Sequence, residues 1–284
     1  MELTSAKTIK EICKKFNFKF SKGLGQNFLL DDSVLDKMVV AAEIESGVLE
    51  IGPGFGVLTQ KLAENAEKVV SVEIDKTLIP VLDYTLSDYS NVKIIERDIL
   101  KTDVCALIKE EFGESEISIA ANLPYYITTP IITSLIEARL PIKNIVVMVQ
   151  KEVAERICAS PGKKDYGSIS VLCQYFTEPE IITVVPANSF IPPPKVDSAV
   201  LCMKVRKVPP IYLDDEKLFF KIIRSAFAQR RKTLVNSLSN GLSIDKSIIS
   251  EIISGCSLPL DIRGEKLSLE EFSQIANKLH KGGH

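Results

Sequence analysis

The chain has 284 residues, 45% hydrophobic and 25% charged, with a formal net charge of −2, which is the composition of an ordinary globular protein and a length that suits one large domain plus a small one. Its two histidines, His280 and His284, lie at the extreme C-terminus, which excludes Ser-His-Asp and Cys-His nucleophile systems and any histidine-based zinc site. Six cysteines, at positions 13, 105, 158, 173, 202 and 256, form no Cys-x-x-Cys pair and read as reduced, mostly buried thiols.

The N-terminal segment Thr8–Lys15 is amphipathic and charged, unlike a signal-peptide core, and no apolar run approaches the ~18 residues of a membrane span. No membrane partner is expected, and the expected location is cytoplasmic. Charge is unevenly spread. Residues 1–23 hold six Lys against two Glu, residues 204–284 hold fourteen Lys or Arg against nine Asp or Glu, and the stretch between holds fifteen against twenty-six. Basic ends flanking an acidic body would place an electrostatic footprint on the ends; solvated helix faces are the plainer alternative.

In chain order, residues 4–16 read as a basic amphipathic helix, followed by the polar, Gly-containing segment 21–29. Asp31-Asp32-Ser33 can cap a helix over 33–43. An alternation follows: strand 48–51, helix 56–65, strand 68–74, helix 77–87, strand 92–96, helix 103–112, strand 117–123, helix 129–138, strand 145–149. Apolar strands alternating with helices predict an α/β fold with a mostly parallel sheet covered on both faces. Residues 151–160 and 168–176 read as helices. The β-rich stretches 180–186 and 196–206, flanking 188–194, predict an antiparallel pair at the sheet edge. Val208-Pro209-Pro210 reads as a linker, so the expected domains are 1–207 and 208–284. Helical periodicity over 215–238, 246–254 and 268–280 makes the second an all-helical domain.

Three features carry chemistry. Glu50-Ile-Gly-Pro-Gly-Phe-Gly56 sits at the first strand-to-helix turn, where Gly52 and Gly54 permit a tight turn and close backbone approach to a ligand. The spacing is G-x-G-x-G, not the G-x-G-x-x-G of dinucleotide enzymes. Glu73, near the end of the second strand, can accept from ribose hydroxyls, and Asp98, after the third, from an adenine amine. With no phosphate-loop lysine nearby, the set suits a nucleoside without phosphate, for which S-adenosyl-L-methionine is the candidate cofactor. The third feature is Asn122-Leu123-Pro124-Tyr125 at the end of an apolar run: a carboxamide, a carbonyl, a rigid ring and an aromatic face. Such a set can hold an exocyclic amine by two acceptors and stack on the base that bears it. A strand end running into a capped helix start explains the same residues without any ligand.

Gln26-Asn-Phe-Leu29, Glu50-Ile-Gly-Pro-Gly54, Asn122-Leu-Pro-Tyr-Tyr126, Phe190-Ile-Pro-Pro-Pro-Lys-Val-Asp-Ser198 and Phe227-Ala-Gln-Arg-Arg-Lys-Thr-Leu234 occur in one order. Over roughly 20–280 the chain closely resembles the bacterial small-subunit (16S) rRNA adenine N6,N6-dimethyltransferase family. That resemblance implies a Rossmann-like methyltransferase domain with a small helical C-terminal domain. It also implies transfer of four methyl groups to two adjacent adenines near the 3′ end of 16S rRNA, in a precursor small ribosomal subunit. It places cofactor contacts on Asn27, Leu29, Gly52, Gly54, Glu73, Asp98 and Asn122. Catalytic positions are Asn122, Leu123, Pro124, Tyr125 and Phe190, with Phe190 stacking the target adenine opposite Tyr125. RNA contacts fall on Arg230, Arg231 and Lys232, expected on the first C-terminal helix, and on Lys195; the basic N-terminal lysines 10, 14, 15, 19 and 22 form a second cluster. No metal is expected, and the chain is expected to act as a monomer. The alternatives are a large-subunit rRNA dimethyltransferase of the antibiotic-resistance type, a nucleotide-dependent dehydrogenase, or a non-catalytic RNA-binding assembly factor.

Overall fold

A computed structural model describes residues 1–229 and 231–283. In chain order the elements are α1 (Ala6–Lys15), β1 (Phe28–Leu29), α2 (Asp32–Ala42), β2 (Gly47–Ile51), α3 (Val57–Ala63), β3 (Lys68–Glu73), α4 (Ile79–Thr85), β4 (Val92–Glu96), α5 (Val104–Phe112), β5 (Ile117–Asn122), α6 (Thr128–Glu137), β6 (Ile142–Gln150), α7 (Lys151–Ile157), α8 (Ser168–Phe176), β7 (Thr177–Val185), β8 (Phe190–Ile191), β9 (Ser198–Val205), α9 (Glu216–Ala228), α10 (Leu234–Leu242), α11 (Lys246–Gly255) and α12 (Leu269–Lys281). No described helix is long and apolar enough to cross a membrane.

Contacts group the chain into two compact units, 1–154 with 179–205, and 155–178 with 206–284. The first is built on a seven-stranded sheet in the order β4-β3-β2-β5-β6-β9-β7. The pairs β2/β3, β2/β5, β3/β4 and β5/β6 are parallel, and β6/β9 is antiparallel. β2 is buried at every position and β5 at all but its last, as expected of strands covered on both faces. The chain runs outward from β2 through β3 to β4, then returns to the other side of β2 with β5. Strand order therefore reverses between β2 and β5, and ligands of open α/β sheets bind beyond the strand ends at such a point. Asp31 caps α2 by accepting from Ser33 N, as its sequence suggests.

A separate two-stranded ribbon pairs β1 with β8, in the register Phe28↔Ile191 and Leu29↔Phe190. Sequence reasoning placed no strand in either segment and treated Phe190 as part of a positioned loop. Instead Phe190 is 4% exposed and packs into the apolar core of this unit.

In the second unit, Tyr166 is buried and donates to the Leu267 carbonyl at 3.0 Å, and Gly162 N donates to Glu265 O at 2.7 Å. These bonds, with the Tyr175 ring against Phe219 and Phe220, tie 155–178 to the residues beyond 206. The sequence-based division ran between 207 and 208. The single helix expected over 215–238 is two helices. α9 ends at Ala228, and Thr233 begins α10 by accepting from Asn236 N. The intervening Arg231 and Lys232 thus sit in a turn, not on a helix; Arg230 lies outside the described residues.

Candidate active site

The turn after β2 opens one wall of a cavity of about 270 Å³ that lies entirely within the first unit. Gly52 and Gly54 adopt φ of +70° and +60°, a region that side chains rarely visit. A Cβ on Gly54 would approach Phe28 Cε1 to 2.7 Å, whereas one on Gly52 would meet no atom within 4 Å. Gly54 is therefore fixed by packing, and Gly52 presents bare backbone to open space.

Glu73 ends β3, 5% exposed, with Oε2 accepting from Gly54 N at 3.3 Å and Oε1 from Asp75 N at 2.8 Å. Burial pushes its carboxyl above the ordinary range, and those two N–H groups oppose the rise. The carboxylate is held at the cavity wall with lone pairs left for hydroxyl donors. Asp98 lies just after β4, its Oδ1 accepting from Leu100 N at 3.1 Å and its Oδ2 3.3 Å from Lys101 Nζ. Ile74, Leu78 and Leu100 add apolar wall between them. Arg97 is the only basic side chain among the described residues lining the cavity. Open glycine backbone, an anchored carboxylate and an apolar slot fit the ribose and base of S-adenosyl-L-methionine.

Across the switch point, β5 ends at Asn122. Its Nδ2 donates to the Asn27 carbonyl at 3.0 Å. Because Asn27 O is an acceptor, the atom facing it must be the amide nitrogen, so Oδ1 points the other way. Among the described residues no donor bonds that Oδ1, and Asn122 lines the cavity. Leu123 N donates to Met148 O at 3.1 Å, locking the next peptide against β6. Thr128 Oγ1 and Ile127 N both bond the Pro124 carbonyl, at 3.2 Å each. The Tyr125 hydroxyl pairs with Ser198 Oγ at 2.7 Å, which fixes its ring; burial pushes its pKa up, more than the Ser198 bond lowers it.

The structure brings Asn27, Leu29, Gly52, Gly54, Glu73 and Asp98 to one cavity, together with the run 122–125. Phe190 is not among its lining residues, although its strand partner Leu29 is. Lys195 is exposed between β8 and β9, and Arg231 and Lys232 are exposed in the second unit. On and after α1, Lys10, Lys14 and Lys19 are exposed, and Lys15 Nζ sits 3.2 Å from the Tyr84 ring centroid; the side chain of Lys22 lies outside the described set.

Two contributors were missed. Ser198 closes the PPPKVDS segment, and the hydrogen bond that makes it a partner of Tyr125 spans 73 positions. Glu50 opens the glycine turn, 1% exposed, with its Oε2 accepting from Thr59 Oγ1 at 2.7 Å and Ser71 Oγ at 2.6 Å. Burial pushes its pKa to about 7, against those two hydroxyls. An apolar run interrupted by one carboxylate was the signal for it.

A switch-point cavity with a glycine turn, an anchored carboxylate and an Asn-Leu-Pro-Tyr wall defines a Rossmann-like S-adenosylmethionine-dependent methyltransferase. The ribosomal RNA adenine dimethylase family model matches residues 17–281. A ribosomal RNA small subunit methyltransferase A from Alkaliphilus oremlandii is 47% identical over 282 residues, 98% of each chain. The protein of that name from Geobacillus sp. is 50% identical over 276 residues, 95% of each. A dimethyladenosine transferase from Plasmodium falciparum superimposes with a TM-score of 0.76 at 27% identity, covering 90% of this chain and 98% of that one. The 23S rRNA methyltransferase ErmE shares the fold, with a TM-score of 0.69 at 24% identity over 89% and 99%. The chain belongs to the ribosomal RNA adenine dimethylase family and is an S-adenosylmethionine-dependent rRNA adenine dimethyltransferase.

Proposed function

We propose that this chain dimethylates N6 of two adjacent adenines in the 3′-terminal hairpin loop of 16S rRNA, within a precursor small ribosomal subunit, acting as a cytoplasmic monomer. The names of relatives 47–50% identical over nearly the whole chain support the small subunit over the large. The observation that carries the chemistry is the Asn122 carboxamide, tethered through its nitrogen with its oxygen left for a ligand.

Adenine N6 is a poor nucleophile because its lone pair is delocalised into the ring. Asn122 Oδ1 and the Leu123 carbonyl accept from its N–H groups, favour a more tetrahedral nitrogen and stabilise the charge that develops on it. S-adenosylmethionine supplies an intrinsically activated sulfonium methyl. No general base is needed before attack, and the proton departs afterwards. Tyr125, held by Ser198, offers one stacking face for the extruded base, and such contacts are worth ~1–3 kcal/mol. Phe190 is the opposing face; its ring, buried in the core in this structure, must turn outward to meet the base. After one methyl transfer a single N–H remains, so the second round uses one of the two acceptors. Lys195, Arg231 and Lys232 hold phosphates. Methyl label from the cofactor, offered to separated unmethylated subunits, should enter small-subunit RNA; incorporation into large-subunit RNA instead would overturn the assignment.

A further inference from the structure

Two tyrosines follow Pro124, and their environments diverge. Tyr125 is half-buried, its hydroxyl bonded to Ser198. Tyr126 lines the same cavity yet is 59% exposed, and its hydroxyl bonds no group among the described residues. Its ring lies beside the Gly25 turn. Gly25 adopts φ of +61°, and a Cβ there would lie 3.5 Å from Tyr126 Cδ1 and Cε1 and 3.4 Å from Pro124 Cβ. The ring edge and Pro124 thus both border the Gly25 turn, while most of the side chain meets water. A large aromatic uncovered at the rim of the cavity offers a face on which a flat ring can stack.

We propose that Tyr126 is a second base platform, stacking the nucleobase that adjoins the adenine held in the cavity. The inference rests on the reading that the substrate is an adenine-bearing RNA loop. Extruding one base from a single-stranded loop unstacks its neighbour, and an unstacked base is recognised by stacking on an aromatic face. The phenol ring supplies such a face at any base identity. In a substrate with two adjacent adenines, the one outside the cavity occupies Tyr126 while the other reacts, so the site recognises a pair. The platform separates from Tyr125 in role: Tyr125 holds the reacting ring, and Tyr126 fixes the strand that delivers it.

The test uses reconstituted small subunits carrying 2-aminopurine beside the target adenine. Binding of the wild-type protein and of Tyr126→Phe should quench its fluorescence. Tyr126→Ala and Tyr126→Leu should not quench it, and both should raise KM for the subunit roughly tenfold, with kcat changed far less and cofactor Kd within about twofold. Tyr126→Leu keeps apolar bulk, so if it behaves as Tyr126→Phe the residue merely seals the cavity and the proposal fails. Undiminished quenching in Tyr126→Ala, or an unchanged KM, also overturns it. A wild-type protein that methylates no small subunit would sink the functional reading instead, which this comparison keeps distinct.

Discussion

Replacing Glu50 by Gln should stabilise the protein at pH 8 and leave it nearly unchanged near pH 4.5. Glu50 is 1% exposed, and burial pushes its pKa from 4.5 to about 7. Below 4.5 the carboxyl is protonated in both the folded and unfolded chain and makes no difference. Between 4.5 and about 7 the unfolded chain releases the proton while the folded one keeps it, so stability falls as pH rises. Above about 7 the full cost of a buried carboxylate is present, roughly 3 kcal/mol. Gln is isosteric and keeps an oxygen to accept from Thr59 Oγ1 and Ser71 Oγ, so it loses the charge without losing those bonds. Urea unfolding of wild type and Glu50→Gln at half-unit pH steps should give a stability difference rising from near zero to a few kcal/mol. A difference independent of pH would mean that Glu50 is ionised throughout, and a Gln variant less stable at pH 8 would mean that the carboxylate is held by more than two hydroxyls.

Further outcomes can be measured directly. Asn122→Ala should leave S-adenosylmethionine affinity within about tenfold by calorimetry but slow single-turnover methyl transfer by about a hundredfold or more, the scale of losing one preorganised polar contact; near-normal turnover would refute its role. Gly54→Ala adds a Cβ 2.7 Å from Phe28 Cε1 at a φ of +60°, so urea unfolding should show a loss of at least about 1–2 kcal/mol of stability, the scale of αL strain alone; unchanged stability would show a turn free to relax. Replacing Arg231 and Lys232 together by Ala should weaken subunit binding and flatten the plot of log affinity against log salt by about 1.4 to 1.8; an unchanged slope would count against phosphate contact there.

The sheet was legible because its strands are short, apolar and separated by helices of the right length, and a strand such as β2, buried at every position, leaves little else to read. That the glycine turn, Glu73, Asp98 and Asn122 would meet at one cavity was legible for the same reason: each lies at or just after the end of a strand in sequence, and parallel strands deliver their ends to one edge. What was not legible depends on partners distant in sequence. β1 and β8 are two residues each, too short to show a period, and Leu29 meets Phe190 only through the completed fold. Phe190 thus reads locally as a loop residue before prolines, yet folds as core. The break between α9 and α10 was readable in Thr233, a capping residue before an apolar run, but the helical period on either side runs nearly in phase and masked it. The affiliation of 155–178 rests on bonds such as Tyr166 to Leu267, which no local pattern encodes.

The most direct test of the Asn122 slot is nucleoside mass spectrometry of unmethylated small subunits incubated with isotope-labelled S-adenosylmethionine and either wild-type protein or Asn122→Ala. Wild type should yield N6,N6-dimethyladenosine with both labelled methyls, mapping to two adjacent positions of the 3′-terminal loop, and the variant almost none at equal time. Dimethyladenosine formed equally by the variant, or label at a site other than adenine N6, would contradict an amine held by the carboxamide of Asn122.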